Sequence, residues 1–125
     1  MKEIILTNQA PAPIGPYSQG IKSGSMHFFS GVIPLNSEGT TIIGENIIDQ
    51  TKQVLKNIDG LLSSCGLNAD NVVKTTVFLK DMNDFVNMNG EYAEYFGQSK
   101  PARSTVEVSR LPKDVLVEIE MIAIG

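Results

Sequence analysis

Apolar residues between positions 47 and 65 recur at helical spacing. Val54, Ile58, Leu61, Leu62 and Cys65 follow one another by four, three, one and three residues. That period predicts an amphipathic helix over Ile47 to Cys65, ended by Gly66, with Cys65 on the buried stripe as a small core residue. A second stripe, Phe85, Met88, Tyr92 and Phe96, is spaced by three, four and four. It predicts another helix, begun by Asp81 to Asn83 and closed by Gly97.

Between and around these segments the pattern shifts to the period of extended chain. Glu3 to Leu6 reads as a short strand, and Ser18 to Ser23 and Met26 to Ser30 read as a hairpin about Ser23-Gly24-Ser25. Val32 to Gly44, with Pro34, Asn36, Gly39 and Gly44, reads as a loop holding a short strand at Thr40 to Ile43. Asn71 to Lys80 is β-branched and aromatic enough for a strand. Near the end, Arg103, Thr105 and Glu107 alternate with Ser104, Val106 and Val108, and after the turn at Leu111 to Asp114 a final strand begins at Val115. Its odd positions, Val115, Val117, Ile119, Met121 and Ala123, form a wholly apolar face. The opposite face carries Leu116, Glu118, Glu120, Ile122 and Ile124, two carboxylates among three large apolar residues.

Two helices can cover one face of a sheet but not both, so the face bearing Leu116, Ile122 and Ile124 calls for a second subunit. Glu118 and Glu120 would then lie near a subunit boundary, where partial burial favours pairing with Arg103 or another cation. The expected class is α+β: a mixed sheet backed on one face by two helices, in a single domain spanning residues 1–125.

Composition narrows the functional classes. The net charge of −4 does not fit a surface built mainly to hold phosphates, which argues against a nucleic-acid role. One cysteine, Cys65, cannot form an internal disulfide, and no Cys/His cluster suggests a metal site. The chain offers no apolar run of the roughly 18 residues a spanning helix needs, so a protein of the cytoplasm with no membrane partner is expected.

The candidate chemistry gathers in two stretches. In Ala10 to Gly20, three prolines force an irregular loop, and Tyr17 follows Pro16. Its phenol could serve a site or its ring could simply pack. Ser30 precedes Gly31, which would let a ligand approach the backbone, although a serine at a strand end is more often a turn residue. No nucleophile-elbow motif accompanies it, and His27, the one histidine, is assigned to structure or surface. In Pro101 to Glu120, Arg103 could grip a carboxylate through two parallel hydrogen bonds, and a glutamate in partly apolar surroundings could hold a water. The same stretch could equally be a charged surface hairpin. Asn89 lies beside the apolar stripe of the second helix and needs hydrogen-bond partners, either backbone or ligand.

The blocks IGPYSQG at Ile14 to Gly20, SG at Ser30 and Gly31, KTTVFLKDMNDF at Lys74 to Phe85 and PARSTVEVSRLPKDVLVEIE at Pro101 to Glu120 resemble the RidA/YjgF family of imine deaminases. The resemblance runs over the whole chain. It implies a chorismate-mutase-like fold, a homotrimer with sites in the clefts between subunits, and hydrolysis of 2-imino or 2-enamino acids such as 2-aminoacrylate to 2-keto acids and ammonia, with no cofactor. On this resemblance Arg103 would clamp the substrate carboxylate and Glu118 would hold the attacking water. Tyr17 and Ser30 would line the cleft, the backbone near Gly31 and Thr105 would complete it, and Asn89 would support it. Many members carry cysteine where this chain has Thr105, which removes any thiol-dependent activity from what can be carried over. Two other readings stand beside the deaminase: a module that binds 2-keto acids through the same arginine without turnover, and a ribonuclease, against which the acidic balance argues.

Overall fold

The computed structural model describes all 125 residues. One six-stranded sheet runs in the order β1-β2-β3-β6-β4-β5, built from β1 (Lys2–Ile5), β2 (Gly20–Ser23), β3 (Met26–Val32), β4 (Val72–Leu79), β5 (Ala102–Glu107) and β6 (Val117–Ile124). All neighbours are antiparallel except β4 and β5, which are parallel. Helices α1 (Ile47–Ser64) and α2 (Phe85–Phe96) pack together on one face. The mixed sheet with two helices on one side is the expected fold class.

Local chemistry sets the helix ends. The Asn46 side chain accepts from the Asp49 N–H at 2.9 Å and so begins α1. At its other end Leu67 and Gly66 donate to the carbonyls of Leu62 and Ser63, and Gly66 takes the left-handed conformation, φ +70°, that this closure needs. Cys65 is therefore the helix cap, half-buried against the core. Ahead of α2 a single 3-10 turn, Met82–Asp84, is capped by Asp81, so the helix starts at Phe85.

The parity of the last strand holds. Val117, Ile119, Met121 and Ala123 are buried under the helices with Val54, Ile58 and Leu62 of α1 and Met88 and Phe96 of α2. Several expectations need correction. Residues 40–43 make no strand, only an isolated bridge between Leu35 and Ile42, because the loop is held from α1: Asn57 donates to the carbonyls of Ile33 and Leu35, and Gln50 to that of Gly44. The first strand is shifted by one residue, leaving Leu6 outside it, and the second is shorter than expected, beginning at Gly20. β5 and β6 do not form a hairpin, since β4 lies between them. Leu116 precedes β6 and packs against the core, so it does not belong to the open face.

That open face is nevertheless apolar. Register aligns Ile4, Ile21, Phe28 and Ile122 across β1, β2, β3 and β6 in one row. Ile4 and Phe28 are exposed, and so are Val106 and Ile124 on the same side.

On the helix face, Tyr92 of α2 and Thr75 of β4 share a hydrogen bond of 2.7 Å between their hydroxyls, both residues being buried. Tyr92→Phe leaves the Thr75 hydroxyl without this partner and should lower stability by about 1–3 kcal/mol, whereas adding Thr75→Val should recover most of the loss. Urea denaturation at one protein concentration checks this; no recovery in the double variant would show that the bond is not what is lost.

Candidate functional site

Arg103 lies on β5 directly beside Thr75 of β4, and paired residues of neighbouring strands share a face, so it points to the side of the sheet that α2 covers. Residues 85, 89 and 92 are spaced by four and three along α2 and present one stripe to it. The guanidinium carbon sits 4.6 Å from the Tyr92 ring centroid and 5.5 Å from that of Phe85. Arg103 Nη1 donates to Asn89 Oδ1 at 2.7 Å. Because arginine only donates, the Asn89 amide nitrogen must face away from it and remains a donor. Asn89 thus holds the arginine, and its partner is a side chain rather than loop backbone. One N–H of the fork is used; the others can meet a carboxylate. Thr105, two residues along the same face, has a buried hydroxyl with no hydrogen-bond partner in the protomer.

Glu118 stands on the other face. It pairs in register with Phe78 of β4 on β6, whose alternate residues fill the core. Arg103 and Glu118 are therefore separated by the sheet, and the anticipated pairing of the two does not occur within the chain. Burial beside apolar groups raises the Glu118 carboxyl above its ordinary value of 4.5, and the nearby Glu120 carboxylate raises it further. Glu120 is exposed.

A β-bulge makes room for Glu118. Phe29 pairs with Met121 and Val32 with Ile119, so Ser30 and Gly31 together oppose Glu120 alone. A Cβ on Gly31 would overlap the Glu118 carboxylate. The glycine anticipated as an opening for ligand also gives space to this side chain. Ser30 also has a structural part: its hydroxyl donates to the Ser18 carbonyl at 2.6 Å and its N–H to the Gln19 carbonyl at 3.0 Å. These bonds bind the strand to the proline-rich loop.

Glu118, Gly31, Ser30 and Tyr17 line one cleft of about 560 Å³, walled by Pro11, Ile14 and Ile33 and rimmed by Pro112 and Lys113. Tyr17 is half exposed at its mouth, and its phenol oxygen accepts from the Ile14 N–H at 3.3 Å. Four of the anticipated residues thus meet in the cleft, while Arg103, Asn89 and Thr105 form a second group beneath α2. Gln19 was missed. Its side chain is buried and holds the loop, yet nothing in its local sequence separates it from a surface amide. His27 is a core residue at 3% exposure, stacked on Phe29.

A family model described as endoribonuclease L-PSP matches residues 7–125. A RutC family protein of Pyrococcus horikoshii is 59% identical over 123 residues, covering 98% of each chain. The 2-iminobutanoate/2-iminopropanoate deaminase of Salmonella typhimurium is 46% identical over 127 residues, covering 99% of this chain and 98% of that one. Among solved structures, the YjgF gene product of E. coli superposes with a TM-score of 0.91 at 45% identity, and E. coli TdcF with bound serine with 0.92 at 42%; each match covers 98% of both chains.

If Gly31 is what keeps the carboxylate in the cleft, Gly31→Ala should swing Glu118 toward solvent and return its titration toward 4.5. Carboxyl-carbon NMR across the acid range reads this directly. An unchanged Glu118 titration would mean that the strand, not the side chain, yields.

Proposed function

Because the chain belongs to the RidA/YjgF family, whose model covers residues 7–125, we propose that it hydrolyses 2-imino and 2-enamino acids, such as 2-aminoacrylate and 2-iminopropanoate, to 2-keto acids and ammonia. The observation that carries this reading is the split site. An arginine fixed by Asn89, Tyr92 and Phe85 has N–H groups left for a carboxylate, and a glutamate in an apolar cleft holds its proton more tightly than usual. The sheet lies between them, so a complete site needs Arg103 from one subunit and Glu118 from its neighbour. The exposed residues Ile4, Phe28 and Ile124 of that face supply apolar area for that contact. A homotrimer in the cytoplasm is the assembly and setting we infer.

The chemistry asks for positioning and one proton relay. Arg103 fixes the substrate carboxylate by a bidentate grip. A water beside Glu118 adds through oxygen to C2 of the protonated imine as its proton passes to Glu118, while the C=N π pair moves to nitrogen. Glu118 then protonates the amine of the resulting carbinolamine. The C–N bond breaks, ammonia leaves, and the hydroxyl proton is lost as the keto group forms. No cofactor takes part in these steps, and the threonine at 105 leaves them unaffected because none uses a thiol.

The TdcF structure with bound serine favours a second reading, a module that binds amino-acid-like carboxylates without turnover. It predicts saturable 2-keto-acid binding with no acceleration. A ribonuclease is less well supported, since the only histidine is buried in the core.

Keto-acid release from 2-aminoacrylate generated in place tests the proposal. Glu118→Gln should lower kcat/KM by about 10²- to 10⁴-fold, and Arg103→Lys should not rescue the loss of Arg103→Ala, since an ammonium cannot form the fork. Full activity in Arg103→Ala would overturn the assignment. With the base active only when ionised, wild-type kcat/KM should fall as pH drops through a value above 4.5, and the limb should vanish in Glu118→Gln. Co-refolding the two inactive chains should restore about one quarter of the sites, those with both contributing residues intact. Recovery of none would place both residues of a site in one subunit.

A further inference from the structure

The proline-rich segment over the cleft has few means of holding its own shape. Pro11, Pro13 and Pro16 have no N–H to donate, and no strand pairs with residues 6–19. Its carbonyls must find donors elsewhere. The Ser30 hydroxyl supplies that of Ser18 and the Tyr17 N–H that of Gly15, and one side chain supplies those of Thr7, Ala10 and Pro11. Gln19, at 5% exposure, accepts from the Thr7 N–H at 2.7 Å through Oε1. Its Nε2 donates to the carbonyls of Thr7, Ala10 and Pro11 at 3.0, 3.2 and 2.7 Å. The Gln19 backbone carbonyl meanwhile accepts from the Ser30 N–H, at the bulge that seats Glu118. This residue therefore links the arch to the floor of the cleft from both its side chain and its main chain.

Tyr17 depends on that link. The phenol makes no hydrogen bond to the sheet; its oxygen meets only the Ile14 N–H, within the same arch. Where the ring stands relative to Glu118 and Gly31 is set by where the arch stands. The fit below is also close, because a Cβ on Gly60 of α1 would run into the Gln9 carbonyl.

We infer that Gln19 is a positioning residue for the proposed hydrolysis, acting through Tyr17 by fixing the arch over the cleft. The inference rests on the deaminase reading for its activity readout but not for its structural one. No other residue type replaces the amide: methionine matches its length without donors or acceptor, and a glutamate carboxylate would face three carbonyl oxygens.

The test compares wild type, Tyr17→Phe, Gln19→Met and the double variant, with 2-aminoacrylate as substrate, at a temperature where circular dichroism shows all four folded. Gln19→Met should lower kcat/KM at least about ten-fold, and adding Tyr17→Phe should cost little more, because both changes act on one group. A kcat/KM within two-fold of wild type, or losses that multiply, would overturn the inference and leave Gln19 a stabilising residue only. Should Gln19→Met fail to fold, Gln19→Glu serves instead. Protonated, it can donate to one carbonyl and accept from Thr7, so its activity relative to wild type should rise as pH falls; a flat ratio would overturn the inference. Wild-type turnover in the same assay separates the two ideas, since its absence sinks the deaminase reading alone. In that event the ring signals of ¹³C-tyrosine-labelled protein decide: Tyr17 should lose its distinct shift in Gln19→Met, and an unmoved signal would refute the positioning role.

Discussion

A strand shows its side chains alternately to the two faces of its sheet, and this chain has helices for only one of them. Most of the rest follows from that constraint. On the covered side, Val117, Ile119, Met121 and Ala123 of β6 are dry and apolar. On the other, the same strand offers Glu118 and Glu120 among Phe28, Phe78 and Ile122. An ionisable group there is partly desolvated without being enclosed, and the raised pKa of Glu118 follows first from that burial and then from the Glu120 carboxylate two residues along the same face.

Arg103 meets the opposite circumstances. It reaches under α2 along the covered side, where Tyr92 and Phe85 offer ring faces and Asn89 one oxygen. Each contact restricts the side chain and none neutralises it, so the charge is oriented and left available. The supports are themselves supported, since the hydroxyl of Tyr92 is bound by Thr75, the residue next to Arg103 across the sheet. Preorganisation of this kind lowers the cost of binding an anion, because the rotamer is chosen before the ligand arrives.

Much of this was readable from residue order. Helical and strand periods located α1, α2, β4 and the two-faced character of β6, because burial on one side imposes a regular repeat. Motifs pointed to Arg103, Glu118, Tyr17, Ser30 and Gly31. What stayed hidden was relational. That β4 separates β5 from β6 depends on a crossover through α2, which no local pattern reports. That Arg103 and Glu118 face apart follows from the same crossover. The loop at 32–44 looked partly extended because Thr40 to Ile43 has strand propensity, yet side chains of α1 satisfy its backbone instead. Gln19 and Asn57 escaped notice for a common reason: a buried amide and a surface amide are the same letter.

The bulge at Ser30 and Gly31 has one more effect, on how the strand counts. Before it the core takes odd-numbered residues, His27 and Phe29; after it the core takes Val32. The extra residue works as a phase shifter, letting one strand obey two alternations without bending out of the sheet. Losing either residue would leave Phe29, one residue and Val32 in plain alternation, with Val32 still facing the core, but would close the widened stretch beside which Glu118 is seated. Over evolutionary time the length of this dipeptide and the glycine at its second position should therefore both resist change, the glycine because a Cβ there would meet the Glu118 carboxylate.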